Sequence, residues 1–249
     1  MEKPKKKRVK QKEIKLKGRL PEKLIFLPNA DKSWHEEWFD GRSLLNPPHP
    51  VRISLCGRPN VGKSAMIQNL ILRADPMFEE IIIIHGDFEN TKEYDYLGKD
   101  DDRIKLIGHI PEPREFAGLV KTLVIVDDKE LKSLNKQQQH CLDRLFGYVS
   151  THKNISVYIG IQDFFHLPTI VRRCCNLIIL WRGHDLDSMS RVAKKAGLKP
   201  AELYALFDNY CPNYRDSLWL DLTNNTPAPI RINGFQVVDK IVEEKNKLN

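Results

Sequence analysis

Residues 51–64 read Val-Arg-Ile-Ser-Leu-Cys-Gly-Arg-Pro-Asn-Val-Gly-Lys-Ser, an apolar strand running directly into the spacing G-x-x-x-x-G-K-S. That spacing is a phosphate-binding loop. Gly57 and Gly62 permit a backbone path that turns successive N–H groups toward phosphates, Lys63 reaches the β- and γ-phosphates, and the Ser64 hydroxyl can sit on Mg²⁺. The run Gly57, Arg58, Pro59, Asn60, Val61, Gly62, Lys63, Ser64 and the following Ala65 is therefore assigned to the nucleotide. The pattern from Ala65 to Leu72 is helical, as the motif requires.

Outward from the loop, short apolar runs alternate with helical patterns: Ile53 to Cys56, Ile81 to Ile84, Ile104 to Ile107, Leu123 to Val126, Val157 to Ile161 and Leu177 to Leu180. Most lack polar alternation, so they read as strands buried on both faces of a parallel sheet wrapped by helices. Helices are expected at about 63–73, 135–151, 187–196 and 200–207. Leu218 to Leu222 and Ile230 to Ile232, separated by a turn-forming stretch, predict a C-terminal strand pair. The run at 80–85 between the phosphate loop and the next acidic strand is read as the inserted strand of the additional-strand class of P-loop ATPases. The expected organisation is a basic disordered tail (1–19), an irregular lead-in rich in Trp and Pro (20–50), an α/β ATPase domain (51–235) and a charged C-terminal tail (236–249).

Residues 1–19 hold ten Lys or Arg against Glu2 and Glu13, a balance of +8, so the chain's net +7 leaves the remainder near −1. The tail is the basic element, and the domain is nearly neutral. Its stretch Lys3-Pro4-Lys5-Lys6-Lys7-Arg8-Val9-Lys10 reads as a nuclear import signal or as an arm that neutralises nucleic-acid phosphates. The five cysteines have no C-x-x-C or zinc-finger spacing and are read as reduced thiols. No segment has eighteen consecutive apolar residues, and the start lacks the apolar core of a secretion signal, so an intracellular protein with no membrane partner is expected.

Leu123-Val124-Ile125-Val126-Asp127-Asp128 is a buried strand ending in two carboxylates. Asp127 would hold Mg²⁺, and Asp128 would orient or deprotonate the attacking water. Adjacent strand residues face opposite ways, so both serve one site only if the chain bends there. Val157 to Ile161 ends at Gln162, whose amide could sense the γ-phosphate. Arg172 and Arg173 end a short helical segment, from which one could reach a neighbouring subunit's nucleotide. A GTP-binding switch is the alternative, since the loop's wording suits small GTPases and Asp95-Tyr96-Leu97-Gly98 matches a minimal D-x-x-G. It lacks an Asn-Lys-x-Asp element to select guanine.

The order of these elements, with Ile-Gly-Ile-Gln-Asp-Phe-Phe-His-Leu-Pro-Thr-Ile-Val-Arg-Arg (159–173) and Asn-Leu-Ile-Ile-Leu-Trp-Arg (176–182), resembles the genome-packaging ATPases of the FtsK/HerA superfamily. These include poxvirus-type packaging enzymes and relatives in virophages and large self-synthesising transposons. The resemblance implies an ATP- and Mg²⁺-dependent motor that assembles as a pentameric or hexameric ring. It would move double-stranded DNA into a capsid, with capsid vertex proteins as partners and a virion or host-nuclear location. It implies Lys63, Ser64 and Asp127 at phosphate and metal, Asp128 as base with Glu130 as the substitute, Gln162 as sensor, and Arg172 or Arg173 as the finger. Two departures stand out: the bulky loop interior Arg58-Pro59-Asn60-Val61, and Asp128 where many relatives place Glu.

Overall fold

The computed structural model describes residues 35–97, 101–183 and 186–238, all within the unit Asp31–Asn249. The basic tail, the first part of the lead-in and the last residues of the charged C-terminal tail lie outside the described residues. The apolar runs form a nine-stranded sheet in the order β3-β2-β4-β5-β1-β6-β7-β8-β9. Its strands are β1 (Arg52–Cys56), β2 (Glu80–His85), β3 (Ile104–Ile107), β4 (Thr122–Asp127), β5 (Ile155–Ile161), β6 (Leu177–Trp181), β7 (Ser217–Asp221), β8 (Ile230–Ile232) and β9 (Gln236–Val237). The first six pair in parallel, and β7, β8 and β9 extend the sheet antiparallel. The expected α/β class and C-terminal strand pair are both present. The two-residue β9, too short to leave a hydrophobic pattern, is added at the edge.

One expectation is corrected by the sheet order. The strand inserted in space between the phosphate-loop strand β1 and the acidic strand β4 is β5, which pairs with both. The strand inserted in sequence, β2, lies on the far side of β4. The class reading survives because the sheet does have a strand between the two motif strands. Sequence order named the wrong one.

Every residue of β4, β5 and β6 is buried, as uninterrupted Val/Ile/Leu runs require when helices cover both faces. Alternate residues divide between two cores. Ile53, Leu55, Ile83 and Ile125 meet Ile67 and Leu70 of α1 (Lys63–Leu72) on one face. Val124, Val126, Val157 and Ile159 meet the other face's helices, including α2 (Lys136–Arg144) and α4 (Thr169–Cys174). Asn135 caps α2 by accepting from Gln138 N at 2.9 Å, and the helix continues through a π-turn (Leu145–Val149) into α3 (Ser150–His152). Helices α5 (Leu186–Lys195) and α6 (Pro200–Tyr210) precede β7.

The described lead-in residues anchor to this framework. His49, 4% exposed, bonds Ser156 Oγ at 2.7 Å and Asn154 Oδ1 at 2.8 Å. Burial is the first cause that lowers its pKa, to about 4, so the ring is neutral near pH 7. Trp38 donates its indole N–H to Thr223 Oγ1 at 2.8 Å. Beside it the fully buried Arg231 guanidinium lies 3.0 Å from Asp221 and near the ring faces of Trp219 and Trp38.

Candidate nucleotide-hydrolysis site

The cleft opens at the C-terminal ends of the parallel strands, where β1, β4 and β5 each run out into a loop. The loop after β1 starts tightly: a side chain at Gly57 would lie 2.7 Å from Val61 and 3.1 Å from Trp181, so only glycine lets the chain turn there. Asn60 and Gly62 both take positive φ, 65° and 107°, and Gly62 leads into α1 with open space where its side chain would be. The start of α1 has no side-chain cap, and uncapped N–H groups at a helix start are ready donors for phosphate oxygens. Lys63 donates to the carbonyls of Gly57 at 2.9 Å and Arg58 at 3.1 Å, which holds its ammonium against the loop. Half-burial lowers its pKa, while the Asp127 and Asp128 carboxylates oppose that shift and favour the cation.

Asp127, only 2% exposed, ends β4 directly beside the loop. Its Oδ2 accepts from the Ser64 hydroxyl at 2.9 Å and from the Tyr94 hydroxyl at 2.7 Å. Its Oδ1 faces the bare Cα of Gly160, where an added Cβ would lie 2.1 Å away. Glu93 Oε2 stands 3.1 Å from the same Ser64 hydroxyl. One hydroxyl has one proton, so it satisfies one of these two carboxylates at a time. Hydroxyl and carboxylate oxygens converging with too few protons are the donor chemistry of a hard divalent cation completed by phosphate oxygens.

The bend that Asp127 and Asp128 need to serve one cleft is present. Asp128 adopts φ 46°, and its carbonyl packs so closely on Gly86 that a Cβ there would lie 2.4 Å from it. Asp128 is exposed and lines the cleft together with Glu130 and Gln162. The cleft has a volume of about 890 Å³, and Pro59, Asn60, Gly62, Lys63, Ser64 and Ala65 form its loop side. The other loop positions turn elsewhere. Arg58 donates Nε to Gly183 O at 3.1 Å, and Val61 is buried against the turn at Gly57. Two of the four bulky interior residues, Arg58 and Val61, are thus absorbed outside the cleft, while Pro59 and Asn60 line it.

Arg172 and Arg173 do not line this cleft. Arg172 donates to Phe165 O at 3.0 Å and Thr169 Oγ1 at 3.2 Å and lies over the Phe165 ring, while Arg173 is exposed. Among the lining residues to which the sequence assigned no role are Glu93, Gly160, His166 and Arg215, together with Lys129, Leu131 and Lys132 beside the acidic strand end. Arg215 precedes β7 and reaches the cleft because β7 pairs with β6, the neighbour of β1. Trp181 Nε1 ties the Arg215 carbonyl down at 3.1 Å. Gly160 and His166 fall inside the 159–173 stretch but no role there singles them out, whereas the places of Glu93 and Arg215 at the cleft depend on how the strands are ordered.

Sheet order and cleft together define a P-loop ATPase fold of the additional-strand class. The solved structures with this fold include the B204 DNA-packaging ATPase of Sulfolobus Turreted Icosahedral Virus, at TM-score 0.55 and 17% identity over 75% of this chain and 97% of that one. The B204 genome-packaging NTPase of Sulfolobus turreted icosahedral virus 2, bound to AMPPCP, matches at TM-score 0.53 and 17% identity over 77% of this chain and all of that one. The cytoplasmic domain of the type VII secretion ATPase EccC of Thermomonospora curvata matches at 0.51 and 12% identity, over 78% of this chain and 26% of that one. No family model matches the chain, and no curated protein matches it. The fold agrees with the resemblance to FtsK/HerA-type packaging ATPases. It gives the GTPase alternative no support: Asp95–Leu97 is a 3₁₀ turn in the loop after β2, not the end of a strand beside the phosphate loop.

Proposed function

We propose that this protein is an ATP-hydrolysing motor that translocates double-stranded DNA and packages a viral genome into a preformed capsid. The observation that carries the reading is the convergence of Lys63, Ser64 and Asp127 in one cleft of a fold shared with B204 along nearly the whole of that chain. ATP phosphates would rest on the amides at the start of α1 and on the Lys63 ammonium. Ser64 and Asp127 would hold Mg²⁺, which supplies charge neutralisation at the phosphates. Asp128, at its bend, would accept the proton of the attacking water, with Glu130 as the second carboxylate in reach and Gln162 orienting the water from the end of β5.

Arg172 and Arg173 lie outside their own cleft, which suits action on a neighbour in a ring of five or six subunits. In that reading the ring surrounds DNA and docks on capsid vertex proteins. The test is hydrolysis by the purified protein with and without double-stranded DNA. DNA-stimulated turnover that Lys63→Ala abolishes is expected, and an equal rate in both conditions overturns the motor. Mixing Arg172→Ala or Arg173→Ala subunits with Lys63→Ala subunits should restore some hydrolysis, because the two defects lie on opposite sides of a shared site. No recovery at any ratio rules out a finger supplied in trans.

A further inference from the structure

The loop that follows β2 contributes a part of the site that neither the phosphate-loop motif nor the acidic strand contains. Tyr94 is 6% exposed, its ring is buried in the core on the α1 face of the sheet, and its hydroxyl ends 2.7 Å from Asp127 Oδ2. A carboxylate only accepts, so the phenol donates. Asp127 is then gripped from three sides: Ser64 and Tyr94 on one oxygen, and the bare Cα of Gly160 against the other. A carboxylate with one oxygen bonded twice and the other walled in has a single orientation. Ser64 must serve the phosphate-bound cation in any P-loop site, which leaves Tyr94 as the donor that stays with Asp127 throughout.

We infer that Tyr94 is a positioning residue that fixes the Asp127 carboxylate for the divalent cation, an inference that rests on the nucleotide-hydrolase reading above. Outer partners that orient a metal-binding carboxylate commonly contribute 10–100-fold to metal affinity or activity when present. Tyr94→Phe keeps the buried ring and removes only the donor. It should raise the Mg²⁺ concentration for half-maximal hydrolysis by about 10-fold or more. Nucleotide binding in EDTA should stay at the wild-type level.

The decisive readout does not need turnover: Mn²⁺ affinity by electron paramagnetic resonance, with AMPPCP bound, for wild type and Tyr94→Phe. A weaker Mn²⁺ site in the variant, with an unliganded Tm close to wild type, is the expected result. Equal Mn²⁺ affinity overturns the role of Tyr94. A fall in Tm with unchanged metal dependence also overturns it and makes the contact one of packing. Wild-type protein that binds neither AMPPCP nor Mn²⁺·AMPPCP sinks the hydrolase reading itself, a different failure.

Discussion

Two buried aspartates end two strands of the same sheet and are used in opposite ways. Asp127 closes β4 at 2% exposure, and Asp221 closes β7 at 1%. Asp221 already has its cation. Arg231 lies 3.0 Å away with its faces near Trp219 and Trp38, and Thr223 donates its N–H and hydroxyl to Oδ1 at 2.9 and 2.5 Å. Asp127 is hydrogen-bonded by hydroxyls and backed by a bare glycine at the wall of an open cleft, with the Lys63 ammonium near it but bonded to the loop carbonyls. Burying a carboxylate is expensive unless it is paired; the first is paired within the chain, and on the proposed reading the second receives its counterion with the nucleotide. What separates structure from function here is whether the partner is covalently part of the chain.

That contrast can be broken most severely at the closed pair. Asp221→Asn leaves Arg231 charged, fully buried and without its partner, and should cost about 3–5 kcal/mol in urea unfolding. Hydrolysis at temperatures where the variant stays folded should match wild type. Asp127→Asn should do the reverse, lowering kcat on the order of 10²–10³-fold in a steady-state assay with little change in Tm, since Asp127 forms no salt bridge among the described residues and Lys63, its nearby cation, is held by the loop carbonyls. If Asp127→Asn instead unfolds the protein, the two acids are alike and the comparison fails.

A third buried group, His49, has only neutral hydrogen-bond partners on its ring, with the Lys121 charge opposing and the Glu36 charge favouring its protonation, and its ionisation supplies a smaller test. Its pKa is lowered to about 4 from an ordinary value of 6.5. The unfolded chain therefore binds the proton that the folded one refuses, and stability present above pH 6.5 is lost as pH falls toward 4. The full loss is about 3 kcal/mol by linkage. Urea midpoints across that range should fall in wild type and fall less steeply in His49→Gln. Last, Gly160→Ala pushes a methyl toward Asp127 Oδ1 and should cost about 1–3 kcal/mol in stability. It should also lower kcat, because relief of the clash requires the carboxylate to move. A Gly160→Ala protein with wild-type kcat would show that Asp127 tolerates more than one orientation.

Much of this was legible in the chain. The phosphate loop, the buried strands and the Asp127-Asp128 end are local patterns, and local patterns survive folding. The helix at 135–151 was visible too, with Asn135 acting as its cap. What the sequence hid depends on which strand neighbours which. Gly160 is one glycine in an apolar run until β5 is placed against β4, and Arg215 is one arginine in a loop until β7 joins β6. Tyr94 and Glu93 sit in a charged loop whose polarity reads as solvent-facing, yet Tyr94 ends in the core. The inserted strand was misassigned for the same reason: neighbours along the chain are not neighbours across the sheet.

The turn at Asp128 places a limit on which sequences this site can hold. A left-handed residue is tolerated best when it is Gly, Asn or Asp, and poorly when bulky. With φ at 46° and its carbonyl against Gly86, position 128 admits a short acid far more readily than a long one, and position 86 admits no side chain at all. The two positions are therefore a single unit of variation. A longer acid at 128 becomes accessible only through a change that relaxes the bend, and any side chain at 86 would force that change. The shorter carboxylate is the residue the backbone selects.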